Sequence, residues 1–86
     1  MLSKDKRLNL KKDFKWVAAG KKLETRYLKL FVRFGENAIP KIGVAVTTKF
    51  FRRATDRNRA KRLVFAAFEP LYMKLPNNIN IVALPK

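Results

Sequence analysis

The chain has 86 residues, with 21 lysines and arginines against six acids, a net charge of +15 and a pI near 10.9. It contains neither cysteine nor histidine, which excludes disulfide scaffolds, thiolate zinc sites and the commonest general base and metal ligand. Its 48% apolar content suffices for one small domain with a modest core, while so large a positive field calls for a polyanionic partner, nucleic acid first and an anionic membrane second.

One domain is expected over residues 1–86, with a basic, flexible segment at 1–8. The opening MLSKDKRLNLKKD lacks the apolar core of a secretory signal, and the longest strongly apolar run, Leu63–Phe68, is far too short to span a bilayer. The expected location is the cytoplasm. A first helix follows. Leu10, Phe14, Val17 and Ala18 fall at i, i+4, i+7 and i+8, Asn9 is placed to cap its start, and Gly20 to stop it at C′.

RYLKLFVRF then alternates. Leu28, Leu30, Val32 and Phe34 share one face of a strand; Tyr27, Lys29, Phe31 and Arg33 share the other. GENAIP is a turn. KIGVAVTTK alternates again, with Ile42, Val44 and Val46 opposite Gly43, Ala45 and Thr47, and the two strands are expected to form a hairpin. A second, amphipathic helix of about four turns is expected next. Its apolar face is assigned to Ala60, Leu63, Val64, Ala67, Phe68 and Leu71, with Pro70 kinking or ending it. Phe65 falls away from that stripe, near Asn58. After an LPNN turn, INIVALP reads as a strand buried on both faces. The order helix, strand, strand, helix, strand gives an α+β fold, a small sandwich with a single sheet.

Two surfaces stand out. RRATDRNRAKRL, residues 52–63, packs five arginines and a lysine beside one aspartate. Arg52, Arg53, Arg57, Arg59, Lys61 and Arg62 have almost no acid within helical reach, so pairing along the helix does not explain them. Arginine's planar fork suits phosphate. On the first strand, Tyr27, Lys29, Phe31 and Arg33 interleave rings and cations, which fits either a platform for single-stranded nucleic acid or the packing of Phe31 under a helix. If Gly43, Ala45 and Thr47 adjoin Phe31, their small side chains leave room there for a strand of RNA. Trp16 borders that groove or covers the sheet edge, and packing is the favoured reading. No catalytic constellation, metal-ligand spacing or Gly-rich phosphate loop is present; the six acids are scattered.

The basic segment resembles the signature of the bacterial ribonuclease P protein subunit, in which Arg-Asn-Arg is followed by x-Lys-Arg on a helix. Arg7, Leu8, Asp13, Phe14 and Val17 are similar to that family's opening block, IGVAVTTK to its G-x-x-V strand followed by a lysine, here Lys49, and INIVALP to its late hydrophobic strand. The resemblance implies a fold like the second domain of ribosomal protein S5, with an unusual left-handed βαβ crossover. It also implies partnership with a catalytic RNA that holds Mg²⁺ and removes the 5′ leader from precursor tRNA, with no membrane partner. By position, Arg52, Arg53, Arg57, Asn58, Arg59, Lys61 and Arg62 would face the catalytic RNA, and Phe14, Tyr27, Lys29, Phe31, Arg33 and Lys49 the leader cleft or its rim. No residue of the chain is assigned a catalytic or metal-binding role. A structural RNA-binding protein of ribosomal type is the alternative.

The chain departs from the family in four places. Thr48–Lys49 stands where a Lys-Lys pair is usual, Val64–Phe65–Ala66 where charges often follow the signature, and Ala18 where the first helix carries another aromatic. The sequence also ends at Lys86, where the family continues into a third helix, so it reads as a truncated or a minimal member.

Overall fold

The computed structural model describes residues 4–86. One four-stranded mixed sheet carries a helix on each face. In chain order the elements are a 3-10 turn (Lys4–Lys6), α1 (Leu10–Ala18), β1 (Lys21–Glu24), β2 (Leu28–Phe34), β3 (Lys41–Val44), α2 (Ala54–Phe68), a 3-10 turn (Glu69–Lys74) and β4 (Ile79–Pro85). The strands lie side by side as β1-β2-β4-β3.

The apolar run of β4 accounts for its central place. Residues 79–83 are all buried, and only an interior strand is covered on both faces. β4 pairs antiparallel with β2, Leu30 opposite Ala83 and Val32 opposite Ile81. It pairs parallel with β3, Ile42 opposite Ile81 and Val44 opposite Ala83. The expected hairpin of β2 with β3 therefore does not form, because β4 lies between them. The 35–40 connection is held across the start of β4 instead. Asn37 Nδ2 donates to the carbonyls of Ile39 (2.6 Å) and Ile79 (3.1 Å), and Asn80 Nδ2 to Asn37 Oδ1 (2.9 Å).

The alternation read from the sequence separates two cores. Leu28, Leu30, Val32, Ile42, Val44, Val46, Ile79, Ile81 and Ala83 pack with Phe65, Val64, Phe68 and Tyr72 on the α2 side. Phe31, Ala45, Val82 and Leu84 pack with Leu8, Leu10, Phe14 and Val17 on the α1 side. Tyr72 is buried and donates its hydroxyl to the Pro40 carbonyl at 2.7 Å; burial, with Asp5 adding to it, raises its pKa.

β1 was not expected. KKLE does not alternate, and all four residues are exposed, so no burial signal marks it. Its strand character comes from backbone pairing with β2, Lys21 opposite Val32 through Glu24 opposite Lys29. Thr25 closes the intervening turn, its backbone N–H donating to the Leu28 carbonyl at 2.8 Å and its Oγ1 accepting from the Leu28 N–H at 3.1 Å.

Within the segment expected to be flexible, residues 5–8 contact β3 and Tyr72, while residues 1–3 lie outside the described residues. Arg7 bridges to Ile42 in parallel, Leu8 N donates to the Ile42 carbonyl at 2.9 Å, and Leu8 is buried. Lys41 Nζ donates to the Asp5 carbonyl, and the Lys6 ammonium lies 4.7 Å from the Tyr72 ring centre. This covers the outer edge of β3.

α1 is capped as expected, Asn9 Oδ1 accepting from Lys12 N at 3.4 Å. Gly20, however, has no positive φ; it is needed for a close crossing, since a Cβ there would stand 2.5 Å from the Val32 carbonyl oxygen. α2 ends at Phe68, and Pro70 opens the 3-10 turn. Its buried stripe differs from expectation. Ala60 and Phe65 are buried and Val64 and Phe68 half-buried, whereas Leu63, Ala67 and Leu71 are exposed. The stripe is rotated by roughly 60° from the expected one, taking 100° per residue. The expected stripe runs on through Leu71, where the backbone is already 3-10.

Candidate nucleic-acid interface

The basic segment starts in the loop after β3 and runs into α2. Arg52, Arg53, Asn58, Arg59 and Arg62 are exposed; Arg57 and Lys61 are half-buried. Thr55, Asn58, Lys61 and Arg62, successive on one side of the helix, line a shallow depression of about 410 Å³. Asp56 is the acid of the first turn, and the N-cap Arg53 makes no side-chain cap, so the carboxylate is what complements the positive end of the helix dipole.

Arg57 stands apart. Its Nη1 donates to the carbonyls of Phe51 at 3.1 Å and Arg52 at 3.0 Å, which folds the preceding loop against the helix. Arg57→Ala is therefore expected to cost about 1 kcal/mol of folding stability, as for an ordinary hydrogen-bond loss, and to lower the salt dependence of RNA binding less than Arg62→Ala does. Denaturant titration and a salt series on both variants check this; an equal drop in salt slope without loss of stability would make Arg57 a plain phosphate contact.

On the opposite face of the sheet, Phe14 and Phe31 meet in the α1-side cluster and are both half-buried. Phe31 thus packs beside α1 while keeping part of its ring in reach of solvent. Lys29 lies two residues away on the same face, opposite Leu84. Tyr27 is 70% exposed in the β1–β2 turn, with the Arg26 guanidinium 5.6 Å from its ring centre. Lys49 is exposed in the loop leading to α2, its ammonium 5.6 Å from the Phe50 ring centre.

One expectation about this face is corrected, and Arg33 carries contacts that the sequence pattern does not indicate. The space over Gly43 is already filled: a Cβ there would meet Leu10 Cδ2 at 2.8 Å and Leu8 Cβ at 3.2 Å, so the glycine admits the start of α1 rather than RNA. Arg33 is engaged elsewhere. Its guanidinium carbon lies 4.5 Å from the Trp16 ring centre, and its Nη1 donates to the Trp16 carbonyl at 3.0 Å. Trp16 is 40% exposed and lines an open groove of about 1090 Å³ together with Arg7, Lys12, Lys41 and Asn80. The residues of this groove come from the N-terminal segment, α1, the end of β2 and its connection to β3, the start of β3, and β4, a convergence that no local sequence pattern contains.

Glu24 accepts from Lys86 Nζ at 2.5 Å and lies 3.8 Å from Lys22 Nζ; the Lys86 hydrogen bond, followed by its charge, holds the carboxyl below its ordinary pKa. Among the described residues, no group of three or more carboxylate, thiol or imidazole side chains could hold a metal ion. No helix among them is long and apolar enough to cross a membrane.

The sequence profile of the family Ribonuclease P matches residues 2–86. The ribonuclease P protein component of Pseudanabaena sp. is 36% identical over 84 residues, 95% of this chain and 72% of its own length. That of Nitrosococcus oceani is 39% identical over 57 residues, 65% of this chain and 48% of its own length. The matched stretch thus spans between about half and three quarters of these relatives. The RNase P protein from Thermotoga maritima, solved in complex with 1-(4-fluorophenyl)-2-thiourea, superposes with a TM-score of 0.83 at 32% identity, covering 93% of this chain and 75% of its own. The likeness extends from the motif residues to the backbone and takes in almost the whole sequence, and the chain belongs to the ribonuclease P protein family.

Proposed function

We propose that this chain is the RNA-binding protein subunit of ribonuclease P, which assists a catalytic RNA in the endonucleolytic removal of the 5′ leader from precursor tRNA in the cytoplasm. The observation that carries the reading is the exposed arginine-rich start of α2, held in place by a buried Phe65 and Ala60 within a chain of this family. A cationic surface fixed largely on a packed helix gives up little loop entropy on meeting a polyanion. Arg52, Arg53, Asn58, Arg59, Lys61 and Arg62 would meet the catalytic RNA. Phe14, Lys29 and Phe31, with Tyr27 and Lys49 at the rim, would receive the single-stranded leader. The chemistry and its Mg²⁺ would belong to the RNA. On this chain the residues neutralise phosphate and position the substrate.

The test is a salt series of precursor tRNA cleavage by the cognate catalytic RNA, with and without the chain. The chain alone should cleave nothing, and adding it should raise cleavage most at moderate salt and Mg²⁺. It should bind precursor tRNA more tightly than mature tRNA, and Phe31→Ala should remove about 1–3 kcal/mol of that preference if one base stacks on the ring. Cleavage unchanged by the chain, with equal binding of both tRNAs, would instead indicate a structural RNA-binding protein of ribosomal type.

A further inference from the structure

The groove at Trp16 is separate from both surfaces assigned above. None of Phe14, Lys29, Phe31 or Lys49 lines it, and neither does any residue of α2. Its wall is an aromatic ring already stacked on a guanidinium. Arg33 is fixed under Trp16 by its hydrogen bond to the Trp16 carbonyl, so the ring is held in one orientation without burying its remaining face. Gly35 admits the edge of the ring: a Cβ there would stand 2.9 Å from Trp16 Cη2 and 3.1 Å from Asn80 Nδ2. The floor is Asn80, buried to 6% exposure and locked through Nδ2 to Asn37 Oδ1 and the Arg33 carbonyl. Arg7 and Lys12 stand exposed at the rim.

We propose that this groove is a second site for single-stranded RNA, taking a nucleotide whose base stacks on Trp16 and whose phosphates meet Arg7 and Lys12. Its chemistry is that of a whole nucleotide rather than of a bare anion. The cations Arg7, Lys12 and Lys41 share the groove with Asp13 and Glu36. Those carboxylates would repel a free phosphate, but they can accept from the amino group of a base. At about 1090 Å³ the groove lies just above the range for small-ligand clefts, about 300–1,000 Å³, and its open shape admits a strand that enters and leaves. Stacking on a positioned aromatic flanked by cations is the usual way proteins hold single strands. The inference rests on the reading of this chain as an RNA-binding protein, and goes beyond it by adding a site across α1 from the leader cleft.

Trp16 is the chain's single tryptophan, so its emission reports on this groove alone. The experiment titrates the 86-residue chain with a short oligocytidylate and follows both Trp16 fluorescence and the anisotropy of a labelled copy of the same oligomer. The expected result is saturable quenching with the same midpoint as the anisotropy change, persisting at saturation in Phe31→Ala. An abasic ribose-phosphate strand of equal length should bind more weakly and leave the emission unchanged. Trp16→Ala should weaken oligocytidylate binding roughly five- to a hundredfold, the range for one lost base stack. The double variant Arg7→Ala/Lys12→Ala should lower the salt slope by about 0.7 per lost phosphate contact on a single strand. Binding by anisotropy without quenching, equal quenching by the abasic strand, or quenching lost in saturated Phe31→Ala would each overturn the second site while leaving the RNA-binding reading intact. Absence of any binding would sink both.

Discussion

Phe65→Ala is expected to cost about 3–5 kcal/mol, the usual range for removing a buried phenylalanine. A domain of this size has a total stability of about 4–13 kcal/mol at ~0.05–0.15 kcal/mol per residue, so the variant should be close to unfolding at physiological temperature. The ring is 4% exposed and joins α2 to the sheet core of Ile42, Val44, Ile79, Ile81 and Ala83. Its loss opens a cavity that neither α2 nor β3 can close without breaking the parallel pairing of β3 with β4. Leu63→Ala is the internal comparison. Leu63 is 62% exposed, and its truncation should stay within about 0.5 kcal/mol. Urea titration of both variants measures the difference. A costly Leu63→Ala beside a nearly neutral Phe65→Ala would restore the helix face that the sequence pattern suggests.

That contrast shows what the sequence makes legible and what it hides. The alternation in LKLFVRF and IGVAV separates the two cores correctly because a strand's period is fixed at two residues. INIVALP announces an interior strand because only burial on both faces tolerates so few polar positions. Helical phase is less well marked. In a helix whose apolar residues are spread over Ala60, Leu63, Val64, Phe65, Ala67 and Phe68, two stripes are available, and the choice depends on where the helix ends and what lies beneath it. β1 is invisible because its stabilisation is backbone pairing to β2, which leaves no hydropathy signature. The order of strands fails for a related reason: the hairpin inference uses only the shortness of the 35–40 connection, whereas in the observed order β4, distant in sequence, pairs with both β2 and β3 and lies between them.

The functional surfaces divide in the same way. The arginines before and within α2 are conspicuous in the sequence because they are contiguous and unpaired by acids. Their division of labour is not: Arg57 and Arg59 look equivalent as text, yet one holds the loop through the Phe51 and Arg52 carbonyls and the other is exposed. Trp16 and Arg33 are 17 residues apart, on elements whose contact follows from the close crossing at Gly20. A cation and a ring in separate elements give no pattern, and a groove formed from widely separated chain segments exists only after folding.

The combined substitution Arg52→Ala, Arg53→Ala, Arg59→Ala and Arg62→Ala should leave the fold in place and remove much of the affinity for the catalytic RNA. All four side chains are exposed, so thermal unfolding should change little; Arg57 is kept because it supports the loop. Each phosphate contact contributes about 0.9 to the slope of log K against log salt on a duplex. Four lost contacts therefore predict a slope shallower by roughly 3.6. If the non-electrostatic part of binding is unaltered, the two proteins converge near ~1 M salt, and at ~0.1 M the variant binds about three to four orders of magnitude more weakly. A filter-binding or anisotropy series between those limits measures both slopes. A uniform loss of affinity at every salt concentration, with the slope unchanged, would mean that these arginines act through helix packing or base contacts, and the cationic face of α2 would then not be the surface that meets the RNA backbone.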